Sequence, residues 1–377
     1  MNQIKTFEKF LDREINIFSD GHSIRTPFSL TNKICNELPL DNLIAPKILV
    51  LFNVEFVVEL VYNKKVPLGH ITFYSDSQNK TNLVRKIGVN NIVSENTLDE
   101  GKKFDVIVGN PPFQSSVKGD ASLWPIFVRQ SFNLCNDDGF IALVLPSVYG
   151  LPGPNIRKGK INVWNDFIKN MEILKLNIGQ ASTYFKNVGL SKDYFGYFIG
   201  KKSNNKEEYI IETNNEKWKT DIIDFDFLPV RGNKDDFSIV KKIQTLTKKI
   251  GGCPIRRGGD YAKNGLGNNV MVFKKARYQP YEKCIDFDFT GKRNFQKEIT
   301  DFGWMVLDQS ATKKSAKSVF FSKAFRYYAS LMFVDTFTQG FHQSIPDIDK
   351  TKSWTDKKIY SLLNLTNNEI ARIESNI

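Results

Sequence analysis

Apolar runs alternate with helical stretches from residue 47 to about residue 200, and this alternation restricts the possible fold more than any other feature. Apolar runs of strand length occur at residues 47–52, 71–74, 91–93, 104–108 and 140–145. Helical periodicity occurs at residues 55–62, 79–87, 123–134 and 163–171. Strands that alternate with helices favour a mostly parallel sheet with helices on both faces. We therefore predict an α/β fold, with a late strand at residues 194–199 at the sheet edge or in a hairpin.

The alternation ends in a polar, charged segment at residues 201–212, which predicts a domain boundary. We expect a first domain over residues 1–205, a second over 215–350 and a helical segment over 351–377. The second domain combines short apolar segments with glycine breaks and scattered basic residues, and we predict an α+β structure for it.

Two short patterns predict where helices begin. Thr366 and Glu369 have the spacing of a capping box, which predicts the start of the last helix. Near the other end of the chain, Thr26 is a good N-cap residue and Pro27 is favoured at the first helical position. They predict a helix over residues 28–38, preceded by another short helix within residues 1–25.

Charge is the most informative part of the composition. The chain has 53 Lys and Arg against 41 Asp and Glu, a net charge of +12. A surplus of this size is compatible with phosphate neutralisation on nucleic acid, and equally with a solvated basic surface. No apolar run approaches the length of a membrane span, and residues 1–19 lack the apolar core of a signal peptide, so we expect a cytoplasmic protein. The four scattered cysteines form no CxxC pair and the chain has three histidines, which disfavours a structural zinc site, so we expect free thiols and no metal.

The segment Asn-Pro-Pro-Phe follows the apolar run at 104–108 and Gly109, at the predicted carboxyl end of a buried strand, where α/β folds bind ligands. Its members are Asn110, Pro111, Pro112 and Phe113. The two prolines fix the backbone and remove two N–H donors, which leaves a rigid corner rich in acceptors. The Asn110 side-chain oxygen and the Pro111 carbonyl can take both N–H bonds of an exocyclic amine, while the Phe113 ring stacks on the base for about 1–3 kcal/mol. The alternative is a simple strand-ending turn.

Residues 104–113 resemble motif IV of amino-methyltransferases that use S-adenosylmethionine, in the variant typical of adenine-N6 enzymes. The order of segments along the chain resembles the gamma class of DNA adenine methyltransferases of the restriction–modification type, which are often encoded by phages. The resemblance implies a Rossmann-like methyltransferase domain followed by a target-recognition domain. It also implies catalysis at Asn110, Pro111, Pro112 and Phe113.

The same resemblance implies roles for residues outside motif IV. Thr26 and Pro27 resemble the segment that cradles the methionine end of the cofactor, although they are also an ordinary helix start. Asp76 lies where the family binds the ribose hydroxyls, with a solvated loop aspartate as the alternative. Asn96 replaces the acidic residue near the adenine of the cofactor. Phe185 lies where the gamma class places a second aromatic ring against the flipped base, with a core phenylalanine as the alternative.

One part of the pattern departs from the family. The first strand should be followed by a glycine-rich cofactor loop, yet residues 48–57 contain no glycine. Asn53 and Glu55 are the nearest polar pair, and one interpretation is that they replace the usual cofactor contacts, with Glu55 binding the methionine amino group. The other interpretation is a decayed cofactor pocket in a protein that still binds DNA.

Basic residues of the second domain are the predicted DNA contacts. Arg256 and Arg257 precede two glycines, and a paired arginine suits phosphate or a guanine edge. The complete set is Arg256, Arg257, Lys274, Lys275 and Arg277. A solvated basic loop is the alternative.

The expected activity is therefore methylation of adenine N6 on a base flipped out of double-stranded DNA, with S-adenosylmethionine as cofactor. One alternative is a catalytically inactive methyltransferase fold that serves as a DNA-binding or specificity subunit. Another is amino-group methylation of RNA. The sequence leaves open the recognition site, a cognate restriction endonuclease as partner, and the oligomeric state.

Overall fold

The computed structural model describes most of the chain in two compact units. The described residues are 25–75, 77–94, 101–112, 124–146, 163–178, 183–185, 195–203, 209–213, 216–220, 225–226, 228–257, 270–273, 285–288, 303–332 and 343–377. The first unit contains the described residues up to 146 and from 163 to 220, and the second contains those from 225 onward. The expected helix within residues 1–25 lies outside the described residues.

A nine-stranded sheet forms the centre of the first unit. Its strands are β1 (Ile48–Leu51), β2 (Ile71–Tyr74), β3 (Asn91–Val93), β4 (Phe104–Gly109), β5 (Cys135–Pro146), β6 (Glu172–Asn177), β7 (Phe195–Lys201), β8 (Tyr209–Glu212) and β9 (Lys217–Thr220). They lie in the order β3-β2-β1-β4-β5-β7-β6-β8-β9. The five strands from β3 to β5 pair in parallel, as the alternation predicts. The fold class is therefore confirmed as α/β with a mostly parallel sheet.

Helices connect these strands. They are α1 (Phe28–Glu37), α2 (Val54–Val58, continued by a π turn at Glu59–Asn63), α3 (Gln78–Ile87), α4 (Trp124–Leu134) and α5 (Val163–Asp166), with short 3-10 turns at Leu40–Asn42, Leu68–His70 and Ile168–Asn170. The four residues of β1 are all buried, as expected for a central strand covered on both faces. The sequence thus predicted the first five strands correctly, together with the helices α1, α2, α3 and α4.

The strand expected at the sheet edge or in a hairpin is antiparallel to the preceding strand β6, as in a hairpin, but it lies in the interior of the sheet. It is β7, which pairs antiparallel with β5 on one side and with β6 on the other. The helix predicted over 163–171 consists of the short helix α5 and the 3-10 turn at Ile168–Asn170, and β6 follows directly after it, where no strand was predicted. The strands thus have the order 3-2-1-4-5 that is typical of a doubly wound α/β sheet, followed by the antiparallel β7.

The sheet also continues past residue 205. β8 pairs in parallel with β6, and β9 pairs antiparallel with β8. The expected domain boundary between residues 205 and 215 therefore lies within the sheet of the first unit. The polar sequence of β9, Lys-Trp-Lys-Thr, explains why it was not recognised, because an edge strand with alternating exposed residues lacks an apolar run.

The second unit contains both sheet and helices. Its four-stranded antiparallel sheet has the order β10-β13-β11-β12, from β10 (Arg256–Arg257), β11 (Val270–Phe273), β12 (Ile285–Asp288) and β13 (Gly303–Val306). Its helices are α6 (Lys234–Ile250), α7 (Lys313–Phe320), α8 (Lys323–Met332), α9 (Asp356–Leu362) and α10 (Asn367–Glu374). The capping box of Thr366 and Glu369 is confirmed at the start of α10. The long helix α6 was not predicted, although Asn233 and Asp236 form a capping box at its start.

No helix within the described ranges is both long and apolar enough to cross a membrane. Cys35, Cys135 and Cys253 are buried and free, and burial raises the pKa of the latter two thiols to about 12. Cys284 lies outside the described residues.

Candidate active site

The ends of two neighbouring strands define the candidate site. β1 and β4 pair in parallel with Leu51 opposite Gly109, so the residues that follow them, Asn53 and Asn110, meet at the carboxyl edge of the sheet. A Cβ atom on Gly109 would lie 2.6 Å from the Leu51 carbonyl oxygen. Glycine at position 109 therefore allows the close approach of the two chains immediately before Asn110.

Asn110 is held from two sides. Its backbone N–H donates to Asn53 Oδ1 at 3.0 Å, and its side-chain Nδ2 donates to Thr26 Oγ1 at 3.1 Å. Asn110 is buried, Pro111 is buried beside it and Pro112 is half-buried. Because the amide nitrogen is occupied by Thr26, the Asn110 Oδ1 atom is the part of the side chain that can accept a hydrogen bond from a ligand. Phe113 lies outside the described residues.

The prediction that Thr26 caps the first helix is wrong. Pro27 is the N-cap residue of α1, and no side chain caps that helix end. The helix begins at Phe28 as expected, but Pro27 takes the extended backbone of the cap, and the N–H groups of Leu30 and Thr31 both donate to its carbonyl. The Thr26 hydroxyl is completely buried and bonds to Asn110 instead.

Glu55 adds a carboxylate to the same edge. It lies in the first turn of α2 with 3% exposure, and its Oε1 accepts from Arg25 Nε at 3.1 Å. Burial raises the pKa of Glu55, and the nearby Arg25 guanidinium offsets this only in part. Arg25 was not singled out from the sequence, although it directly precedes the predicted Thr-Pro segment.

Three aromatic rings lie where a glycine-rich loop was expected. Phe52 follows β1 with a φ of 65°, a left-handed conformation that favours glycine. Its ring makes edge contacts with Tyr74 and Phe127, at centroid distances of 5.0 and 4.9 Å. The backbone thus adopts a glycine-like conformation at this position although the residue is phenylalanine. The predicted strand over 47–52 includes Phe52, whereas the observed strand β1 ends at Leu51 and Phe52 begins the loop.

The structure leaves several predicted site residues without a tested role. Phe185 is buried in the core cluster of the first unit, which also contains Val108 and Val144, and its contact with a base stays a prediction. Asp76 and Asn96 lie outside the described residues.

The predicted DNA contacts belong to the second unit. The backbone of Arg256 and Arg257 forms β10. Lys274, Lys275 and Arg277 lie outside the described residues, so the role of this set stays a prediction. In the part of the chain that is described, no cluster of three or more His, Cys, Asp or Glu side chains is arranged to hold a metal ion.

Comparison with known proteins bears on this site. Residues 59–176 match the model of the Eco57I restriction-modification methylase family. That segment extends from the π turn after α2 to β6 and includes Asn110. The match confirms the expected restriction–modification resemblance for this part of the chain, while the gamma-class assignment stays a prediction. A comparison with curated proteins gives no match.

Solved structures give distant similarities. One is the methyltransferase subunit of a type I restriction-modification system from Streptococcus thermophilus, at 14% identity over 51% of this chain and 47% of that chain, with a TM-score of 0.39. The M protein of the type I restriction enzyme EcoKI is similar at 14% identity over 50% of this chain and 47% of its own, with a TM-score of 0.38. An S-adenosylmethionine-dependent methyltransferase from Clostridium acetobutylicum is similar at 14% identity over 52% of this chain and 98% of its own, with a TM-score of 0.33. The chain thus spans about half the length of the two type I subunits.

Proposed function

We propose that this protein is a DNA methyltransferase that transfers a methyl group from S-adenosylmethionine to N6 of an adenine flipped out of the duplex. The observation that carries the proposal is the geometry of Asn110, whose backbone N–H and side-chain Nδ2 are both engaged within the protein. Its Oδ1 remains as an acceptor beside the Pro111 carbonyl. The match of residues 59–176 to a restriction-modification methylase family supports the same conclusion.

The proposed role of this corner follows from the chemistry of an exocyclic amine. The lone pair of the adenine amine is delocalised into the ring, so the nitrogen is a poor nucleophile. Two acceptors, Asn110 Oδ1 and the Pro111 carbonyl, would take its two N–H bonds and favour a tetrahedral nitrogen with a localised lone pair. Stacking on Phe113, worth about 1–3 kcal/mol, helps to offset the few kcal/mol needed to extrude the base.

Glu55 fits the methionine end of the cofactor. S-adenosylmethionine carries an ammonium group there, and a buried carboxylate at the carboxyl edge of the sheet is the complementary charge. When bound, the cofactor supplies an electrophilic methyl group. Glu55 would bind and orient the amino-acid head, while Asp76 and Asn96 are proposed for the ribose and the adenine.

Double-stranded DNA is the proposed partner in the cytoplasm. The net charge of +12 favours phosphate binding, and the basic residues at 256, 257, 274, 275 and 277 are the proposed contacts. A cognate restriction endonuclease is a proposed second partner, because the matching family belongs to restriction–modification systems.

The test is nucleoside mass spectrometry of DNA from cells that lack adenine methylation and express this protein. We expect N6-methyladenine with the wild-type chain and none with Asn110→Ala, because the truncated side chain cannot accept the amine hydrogen. DNA affinity of the variant, measured by fluorescence anisotropy, should remain within about twofold of wild type. Asn136→Ala is the matched control, since Asn136 donates to Asp105 away from the proposed corner, and it should retain methylation.

Each other outcome has a distinct meaning. Persistent N6-methyladenine in the Asn110→Ala strain would show that the corner is structural. N4-methylcytosine in place of N6-methyladenine would change the target base. Methylated adenosine in RNA alone would replace DNA with RNA as substrate.

A specific observation favours one second candidate, a catalytically inactive DNA-binding subunit. The cofactor loop lacks glycine, and the Phe52 ring packs against Tyr74 and Phe127 at the carboxyl edge of β1 and β2. Calorimetric titration with S-adenosylmethionine separates the two candidates. Absence of binding up to millimolar concentration, with DNA present, would rule out the methyltransferase.

A further inference from the structure

Two residues at helix starts have the chemistry of caps and do not cap their helices. Asn53 is the N-cap residue of α2, yet its side chain makes no capping bond to that helix. Thr26 directly precedes the N-cap Pro27 of α1, and no side chain caps that helix end either. An N-cap bond is commonly worth about 1 kcal/mol, so an uncapped helix start calls for an explanation.

Both side chains contact Asn110. Asn53 Oδ1 accepts from the Asn110 backbone N–H at 3.0 Å, and Thr26 Oγ1 accepts from Asn110 Nδ2 at 3.1 Å. All three residues are at most 5% exposed. Two residues from separate helix starts thus hold the backbone and the side chain of a single asparagine.

These contacts restrict the orientation of Asn110 Oδ1, the side-chain oxygen that would accept a hydrogen bond from the amine. A primary amide is planar, with donors on one side and an acceptor on the other. Fixing Nδ2 against Thr26 therefore fixes the plane of the amide and the direction of Oδ1. The bond to Asn53 fixes the main chain at Asn110, and with it the start of the Pro-Pro segment that carries the second acceptor.

We propose that Thr26 and Asn53 are positioning residues, which orient Asn110 so that its Oδ1 is aligned with the amine of the flipped base. This inference rests on the proposed function and assigns both residues a role other than direct binding of the cofactor. The two roles predict different kinetic changes. Loss of a positioning contact slows methyl transfer at saturating cofactor, whereas loss of a cofactor contact weakens the binding of S-adenosylmethionine.

The test is the variant Thr26→Val, which keeps the shape of the side chain and removes the hydroxyl. We expect the single-turnover rate of methyl transfer to fall about 10–100-fold, the effect of a misplaced reacting group. The dissociation constants for S-adenosylmethionine, from calorimetry, and for DNA, from anisotropy, should stay within about twofold of wild type. Thr26→Ser retains the hydroxyl and should restore most of the rate.

Thr31→Val is the matched control. Thr31 is also completely buried and lies in α1, but its hydroxyl donates to the Phe28 carbonyl and does not touch Asn110. This variant should keep the wild-type transfer rate. Asn53→Ala provides a second measurement that does not depend on how well Thr26→Val folds, and it should show the same loss of rate with unchanged cofactor affinity.

Three results would decide against the inference. An unchanged transfer rate in Thr26→Val and Asn53→Ala, with an active wild type, would overturn it while leaving the proposed function intact. Weaker S-adenosylmethionine binding with an unchanged rate at saturation would overturn it by assigning both residues to the cofactor. A wild-type protein that methylates no nucleic acid would refute the proposed function and the inference together.

Discussion

At the scale of single residues, Glu55 is a carboxylate that the fold retains at a cost. Burial raises its pKa above the ordinary value of 4.5, so the folded state holds this proton more strongly than the unfolded chain. The contribution of Glu55 to stability is therefore present below pH 4.5 and is lost as the pH rises through the raised pKa. A residue that lowers stability at neutral pH is typical of a binding site, where function opposes stability.

Glu55→Gln should consequently stabilise the protein and weaken cofactor binding. Glutamine does not ionise, so the first unit should unfold at a temperature a few degrees higher at pH 7, with little difference from wild type near pH 4. The affinity for S-adenosylmethionine should fall at least about tenfold, because the ammonium group loses its carboxylate partner. Differential scanning calorimetry at both pH values and isothermal titration calorimetry measure the two effects.

Glu59→Gln is the control for this prediction. Glu59 is as deeply buried as Glu55, but it accepts hydrogen bonds from Asn32 and Asn63. The Glu59→Gln variant should leave the affinity for S-adenosylmethionine unchanged. If Glu55→Gln binds the cofactor as tightly as wild type, the ammonium group is held elsewhere.

At the scale of elements, α1, the helix that follows Thr26, is held by ion pairs to the strands β6 and β8. Lys175 in β6 pairs with Glu37 in α1 and with Glu212 in β8. Lys33, also in α1, pairs with Glu212 at 2.6 Å. The Tyr197 hydroxyl in β7 donates to Glu37 at 3.0 Å. These contacts hold α1 against three strands.

Lys175→Met should therefore loosen α1. The substitution leaves Glu37 and Glu212 without their shared cation, and we expect a loss on the order of 2–3 kcal/mol. This lies below the about 3–5 kcal/mol of a broken buried pair because Lys33 still pairs with Glu212. Hydrogen exchange of the amides in α1 measures the change. Lys201→Met is the matched control, since its partner Asp138 is 74% exposed and an exposed pair contributes about 0–1 kcal/mol.

The same variant should change the response to acid. Burial opposes the charge on Glu212, but Lys175 and Lys33 outweigh it and lower the pKa of this carboxyl. Glu212 thus contributes stability above its ordinary pKa of 4.5, and that contribution is lost as the pH falls through the lowered value. In Lys175→Met, the stability lost on acidification should therefore be smaller than in the wild type. If acid lowers the hydrogen-exchange protection of α1 equally in the variant and the wild type, this account is wrong.

At the scale of the whole molecule, the sequence predicted the parallel half of the sheet and the strand β7, and it missed β6, β8 and β9. Apolar runs such as β1 and β4 are recognisable because both of their faces are buried. β9 carries two lysines, and β7 inserts between β5 and β6, which precede it in the sequence, so pairing partners decide the position of both strands rather than local pattern. The position of residues 110–112 at the end of β4 could be predicted from the apolar run before them, whereas the contacts of Thr26 and Asn53 depend on how three separate segments meet.

The second unit shows the same dependence on distant contacts, and it supports a last prediction. Asp236 at the start of α6 is completely buried, and it accepts from Tyr327 of α8 at 2.6 Å and from Arg372 of α10 at 3.0 and 3.1 Å. The last helix, which was predicted as part of a separate segment over residues 351–377, is thus bonded to the long helix of this unit through Asp236. The two helices are also joined by the ion pair of Lys242 with Glu369, at 2.7 Å.

Arg372→Met should destabilise this unit, because Asp236 then lacks its only cationic partner within the described residues. The loss should be on the order of 2 kcal/mol, less than for a fully buried pair because the Arg372 side chain is 36% exposed. Hydrogen exchange should show reduced protection in α6, α8 and α10 and wild-type protection in β1 and β4. Lys323→Met is the control. It removes the exposed ion pair between Lys323 of α8 and Glu374 of α10, and it should leave protection nearly unchanged. Equal effects of the two variants would mean that Asp236 is stabilised by Tyr327 and its capping bond alone.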